Sequence, residues 1–377
     1  MNRRRTLTLA AALGLAIVIA LGWRPAARLA ESIELLQGLA ADQSVAAAIS
    51  RTPIAFTVDG VRREADFYRD RERPPKAGIV AVPGAHPAGR DEARLVQLAH
   101  TLAAHGFAVL VPEITSLRRL NVTAGDADPI ADTLRHLASE LGSGRPLGVA
   151  AISYAVGPAV IAANRADLKN RVDFLLGVGG YYDTGAVVTF FTTGNFRETR
   201  EDAWRYLAPN AYGKWVFVRA NATRLADADD RRLLVAIATR RLGDISADIT
   251  DLVAGLGSEG KAVLALLDNR DPDRVPALLG ALPPAIREEL AALDLSRRDL
   301  GGDGPVLLLA HGRDDAIIPY SESLALAAAA GRERAHLYLL DGLNHADLAP
   351  QTWRDRLTLV RLAYRLLALR DGGGPAN

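Results

Sequence analysis

Six short apolar runs set the terms on which this chain can fold: Gly78–Val82, Phe107–Pro112, Leu147–Ile152, Val172–Val178, Val306–Ala310 and His336–Leu340. Runs this short, apolar at consecutive positions, read as strands buried on both faces, as parallel strands covered by helices are. Between them lie helical patterns over Asp91–His105, Ile130–Leu141, Tyr154–Asn164, about Ser321–Ala330, and Trp353–Leu369. In the first of these, Leu95, Leu98 and Leu102 share one face. The alternation predicts an α/β fold with a mostly parallel central sheet and helices on both faces. Ahead of it, Ile54–Val58 and Val61–Tyr68 flank Asp59-Gly60, a favoured two-residue turn, which predicts a hairpin.

The pattern is interrupted from residue 184 to 304. Helical periodicities fill that stretch, at Asp227–Leu242, Ile245–Leu256, Gly260–Leu267, Val275–Leu282 and Ala285–Leu295, with a strand expected only at Trp215–Val218. The core is therefore assigned to 53–183 and 305–370, and 184–304 to a helical cap over the carboxyl ends of the strands, where ligands bind in open α/β sheets. A separate helical domain for binding a partner is the alternative.

The first segment concerns location. Arg3, Arg4 and Arg5 precede an uncharged run from Thr6 to Trp23. As a helix it reaches about 27 Å, enough to cross a thin bilayer. With no clean small-x-small cleavage site before Trp23-Arg24-Pro25, residues 1–23 are read as an uncleaved signal-anchor. Residues 24–52 follow as a juxtamembrane helical segment that Pro53 ends. The arginines would stay in the cytoplasm and the rest would face the periplasm or cell exterior of a bacterium. Secretion after signal cleavage is the alternative. With 45 basic against 44 acidic residues the net charge is +1, which argues against a dedicated nucleic-acid binder. The absence of cysteine removes disulfides and thiolate chemistry.

Three short motifs carry the chemistry. Ser153, in Ala-Ile-Ser-Tyr-Ala-Val-Gly, stands between a strand and a helix of small residues, where a nucleophile projects from a sharp turn. Asp315, in His-Gly-Arg-Asp-Asp-Ala-Ile-Ile-Pro, follows the next-to-last strand and could orient an imidazole; Asp314 and Asp183 are alternative acids. His345, in Asp-Gly-Leu-Asn-His, follows the last strand, where a base on a loop belongs. Blander roles exist for each: a helix N-cap for Ser153, a solvated turn for the aspartate pair. The loop after the first parallel strand, Pro83-Gly84-Ala85-His86-Pro87, would bring the Ala85 N–H to an oxyanion beside that of Tyr154. His86 and Tyr182 are candidates for the pocket wall, and an ordinary loop histidine describes His86 equally well. No metal or nucleotide motif appears, so no cofactor is expected.

The order Ser, Asp, His, together with the stretches Val82 to Leu95 and Gly106 to Glu113, resembles bacterial dienelactone-hydrolase-like members of the α/β-hydrolase superfamily. The resemblance covers about Ile54 to Leu369. It implies the α/β-hydrolase fold, with Ser153 as nucleophile, Asp315 as acid and His345 as base. Two features depart from the pattern: alanines 151 and 155 stand where the usual motif has glycine, and dienelactone hydrolases proper use cysteine, so their substrate does not carry over. The expected activity is a serine hydrolase cleaving a carboxylic ester or thioester of a small-molecule or lipid-derived acyl group, without cofactor. A catalytically idle binding protein at the envelope, or an acyltransferase using the same triad, are the alternatives.

Overall fold

The computed structural model describes residues 23–40, 48–341 and 352–373. Residues 23–40 form a first helix, α1. The hairpin follows: β1 (Ile49–Val58) and β2 (Val61–Asp70) pair antiparallel through Asp59 and Gly60, both at positive φ. These left-handed conformations give the primed turn whose twist suits a hairpin. Pro53, expected to end a helix, instead lies inside β1, so the segment assigned as helical to residue 52 has become strand by Ile49. β1 is the edge strand of the sheet, where N–H groups alternately face away from any partner and proline is tolerated.

The remaining core elements are β3 (Ala77–Val82), α2 (Ala93–Ala104), β4 (Phe107–Pro112), α3 (Thr115–Arg118), α4 (Ala127–Leu141), β5 (Leu147–Ile152), α5 (Val156–Ala163) and β6 (Phe174–Val178). With β9 (Val306–Gly312) and β10 (Ala335–Leu340) from the far end of the chain, the sheet has eight strands in the order β1-β2-β4-β3-β5-β6-β9-β10. β2 is antiparallel to β4, while β4, β3, β5, β6, β9 and β10 are mutually parallel. Their carboxyl ends therefore share one edge.

Between β6 and β9 runs the insertion: α6 (Thr184–Thr193), the short pair β7 (Asn195–Phe196) and β8 (Arg205–Tyr206), α7 (Tyr212–Asn221), α8 (Ala228–Gly243), α9 (Thr250–Val253), α10 (Ser258–Asp268), α11 (Val275–Gly280) and α12 (Pro284–Leu293). The strand expected at Trp215–Val218 is part of helix α7, and all four of its residues are buried. The insertion's core incorporates Tyr181 and Ile318, which follow β6 and β9, so it packs directly on the strand ends. Inside it, the buried Asp230 carboxylate of α8 accepts N–H groups of Gly257 (2.6 Å) and Gly260 (2.8 Å), tying α8 to the start of α10.

After the insertion come β9 (Val306–Gly312), α13 (Ser321–Ala330), β10 (Ala335–Leu340) and α14 (Trp353–Arg370). Helices α4, α5 and α13 cover one face of the sheet, and α2, α14 and α1 the other. α1 is held by more than Leu35. The Arg370 guanidinium, 1% exposed, donates to Glu31 Oε2 (2.9 Å) and to the His105 carbonyl (2.6 Å), and Arg28 reaches Asp371 (3.3 Å). The predicted anchor, residues 1–23, lies outside the described residues except for Trp23; among those described, no helix is long and apolar enough to cross a membrane.

Candidate active site

At the end of β5 the chain turns through a single 3₁₀ turn, Ser153–Ala155, into α5. Ser153 has φ +59°, a conformation that costs a non-glycine residue about 1–3 kcal/mol. Reversing direction so abruptly requires α5 to lie close to what it crosses. A Cβ on Gly157 would sit 2.0 Å from the hydroxyl of Tyr181 and 2.3 Å from its ring. Gly157→Ala is accordingly expected to lose about 1–3 kcal/mol or more, read as a lowered melting temperature, because the Tyr181 side chain is buried and cannot give way.

Asp315 lies just beyond β9 and is 1% exposed. Its Oδ1 accepts the N–H groups of Ile317 (2.8 Å) and Ile318 (3.1 Å). Its Oδ2 lies 3.4 Å from Nε2 of the buried His311. The His311 ring is itself fixed, with Nε2 at 2.9 Å from the Ile318 carbonyl and Nδ1 at 2.7 Å from Ser323 Oγ. A carbonyl oxygen can only accept, so Nε2 carries the proton. Asp314 is exposed to solvent. Asp183 caps α6, its Oδ1 accepting from Gly185 (2.8 Å) and Ala186 (3.1 Å). Strands β5 and β9 flank β6, which separates Ser153 and Asp315 by two strand spacings, about 10 Å, at one edge. Burial first, and then the nearby Asp315 charge, push the Tyr154 phenol well above its ordinary range.

The loop after β3 lies against this turn: a Cβ on Gly84 would stand 3.9 Å from the Ile152 carbonyl. Ala85 is half-buried there, while His86 is exposed and its Nδ1 accepts the Ala88 N–H (3.2 Å), closing its own turn. Tyr182 packs against the core beside α4 and α5; the neighbouring Tyr181 is the one that faces the cavity described below. β10 ends at the same edge as β9, and His345 lies beyond it, outside the described residues.

Sequence reasoning missed Glu322, on α13. It is 3% exposed, and its Oε2 accepts the main-chain N–H groups of Tyr182 (3.0 Å) and Asp183 (2.8 Å) at the start of the insertion. Burial, partly countered by those two bonds, pushes its carboxyl up to about 8. A glutamate inside a predicted helix carries no signal of such a role. Between its unfolded value near 4.5 and its folded value the native state holds a proton that the unfolded state has lost. Stability should therefore fall as pH rises through this window, by up to about 1.4 kcal/mol per pH unit, and level off above pH 8. Urea unfolding of the parent and Glu322→Gln from pH 5 to 9 checks this; the glutamine variant should lack that component of the slope.

Beside the turn, Tyr154 forms one wall of a partly open cavity between the core and the insertion. Tyr181, Val187, Phe191, Phe217 and Leu293 are among the residues that complete it. The hydroxyls of Tyr181 and Thr184 donate to the carbonyls of Leu293 (3.2 Å) and Leu290 (3.2 Å). Asn221, also in the wall and 6% exposed, donates from Nδ2 to the Phe217 carbonyl (2.9 Å), which leaves its Oδ1 buried with no hydrogen-bond partner among the described residues.

No family model matches the sequence, and no curated protein does. Solved structures do match in shape. A Legionella pneumophila protein named as a hydrolase superposes with a TM-score of 0.51 at 12% identity, covering 87% of this chain and 90% of that one. A hormone-sensitive lipase from a metagenome library gives 0.49 at 15% identity, with 86% of each chain covered. An esterase from the archaeon Pyrobaculum calidifontis gives 0.45 at 13%, with 94% of each covered. The first superposition marks a common architecture, and at such identity it speaks for the fold alone. Strand order, the single antiparallel crossing at β2 and the strained serine after β5 agree with it. The chain has the α/β-hydrolase fold.

Proposed function

We propose that the protein is a serine hydrolase acting on carboxylic esters or thioesters. The observation that carries this reading is Ser153, held at φ +59° on a strand-to-helix turn at the carboxyl edge of the sheet. A serine serving only as a helix N-cap takes extended backbone and needs no such strain.

In this mechanism His345, from the segment after β10, removes the Ser153 proton as Oγ attacks the acyl carbonyl. Asp315, desolvated and held by two main-chain N–H groups, orients the imidazole and stabilises its cation. The N–H groups of Ala85 and Tyr154 take the oxyanion; the approach of the β3 loop to the end of β5 supports that assignment. The protonated His345 then gives its proton to the leaving alcohol or thiol. Water, deprotonated by the same imidazole, attacks the acyl-enzyme and releases the acid. The insertion forms the far wall of the acyl cavity and so serves as a cap. Residues 1–23 supply a membrane anchor, tested by retention in carbonate-washed membranes and release on truncation to Arg24.

Intact-mass analysis after fluorophosphonate treatment tests the chemistry. One adduct is expected on the parent and none on Ser153→Ala. A folded parent that takes no adduct, or an adduct that persists in the variant, would overturn the reading.

A further inference from the structure

We infer that the acyl cavity is built for an acyl chain carrying a hydroxyl or similar hydrogen-bond donor, recognised by Asn221 Oδ1. The inference rests on the hydrolase reading for the reaction, though the binding site stands on its own geometry.

Tyr154 and Asn221 line the same cavity, so a chain whose carbonyl sits at Ser153 extends past Tyr154 towards the end of α7. Aromatic and aliphatic side chains make up most of that path. The Tyr181 and Thr184 hydroxyls spend their protons on the carbonyls of α12. The Asn221 amide is oriented by its bond to the Phe217 carbonyl: a carbonyl cannot donate, so Nδ2 faces Phe217 and Oδ1 is the free acceptor. Buried polar atoms in folded proteins are nearly always paired, and an exception in a side chain that lines a cavity points to a donor brought by a ligand. Apolar walls with one oriented acceptor fit a mostly aliphatic chain bearing a single hydroxyl.

The sign of the selectivity is diagnostic. A wholly apolar pocket disfavours a hydroxylated chain, whereas one with a buried unpaired acceptor favours it over its deoxy analogue. The experiment compares ethyl octanoate with ethyl 3-, 6- and 8-hydroxyoctanoate. Hydrolysis by the parent is read as acid released, and binding to Ser153→Ala by calorimetry. We expect at least one hydroxy ester to exceed octanoate by about tenfold or more in kcat/KM and in affinity. In Asn221→Leu and Asn221→Ala the ratio of hydroxy ester to octanoate should fall to about one or below. Octanoate matching or beating every hydroxy ester in the parent would overturn the inference, as would a preference that survives in either folded variant. Binding of none of the four esters would overturn it too. The parent series decides the sign even if a variant fails to fold. Failure of the hydrolase reading is separable: fluorophosphonate labelling would be absent while the binding preference persisted.

Discussion

Replacing Ser153 with alanine is expected to lower kcat/KM by at least about 10⁴-fold for any ester the protein hydrolyses, because loss of the nucleophile disables the triad as a unit. KM should change little, since the cavity walls are untouched. A variant retaining more than about 1% of activity would exclude Ser153 as the nucleophile. The same position offers a second readout. Glycine is normally less stable than alanine by about 0.5–1 kcal/mol, but at φ +59° alanine carries the strain and glycine does not. Ser153→Gly should therefore melt at or above Ser153→Ala. The reverse order would mean that the turn is unstrained in solution.

The largest effect on stability is expected at Arg370. Arg370→Met removes the guanidinium while leaving the Glu31 carboxylate in place, and deprives the His105 carbonyl of its donor. Breaking one side of a fully buried ion pair costs about 3–5 kcal/mol, and with the Glu31 side chain 28% exposed the loss here should fall at or below the low end of that range. Glu31 is placed accordingly: burial alone would raise its carboxyl, but the hydrogen bond and charge of Arg370 outweigh that and hold it below the usual range. Urea unfolding should show the loss, and adding Glu31→Met should recover part of it by removing the stranded charge. Equal unfolding free energies for Arg370→Met and the parent would show that the Arg370 clasp on Glu31 and His105 contributes nothing to the fold.

The strands were largely legible because parallel strands buried on both faces leave uninterrupted apolar runs; Phe107–Pro112 and Leu147–Ile152 match to the residue. Where the reading failed, context outweighed a local rule. Pro53 punctuates most sequences, but on an edge strand a missing N–H need cost no ladder bond. Trp215 to Val218 has the β-branched and aromatic character of a strand. Its four residues are buried on every side within the insertion, so no polar face remained to reveal the helical period. Ser153 and Asp315 were singled out through their order along the chain and their places after strands. Glu322 and Asn221 were not, because their surroundings come from segments far apart in sequence: Glu322 meets Tyr182 and Asp183, and Asn221 lines one cavity with Tyr154.

The clasp that Arg370 makes also bears on how this molecule meets its surroundings. Arg370 ends α14 and Glu31 lies in α1; both sit by His105, just before β4 begins, at the amino edge of the sheet. Ser153 and Asp315 occupy the opposite edge, about 20 Å away along six-residue strands. Under the proposed anchoring, the clasp that holds α1 and the edge that carries Ser153 lie at opposite ends of the sheet. Acyl substrates would then arrive from the aqueous compartment, freely dissolved or handed over by a carrier, and lateral extraction from the lipid leaflet that holds the enzyme would be the disfavoured route.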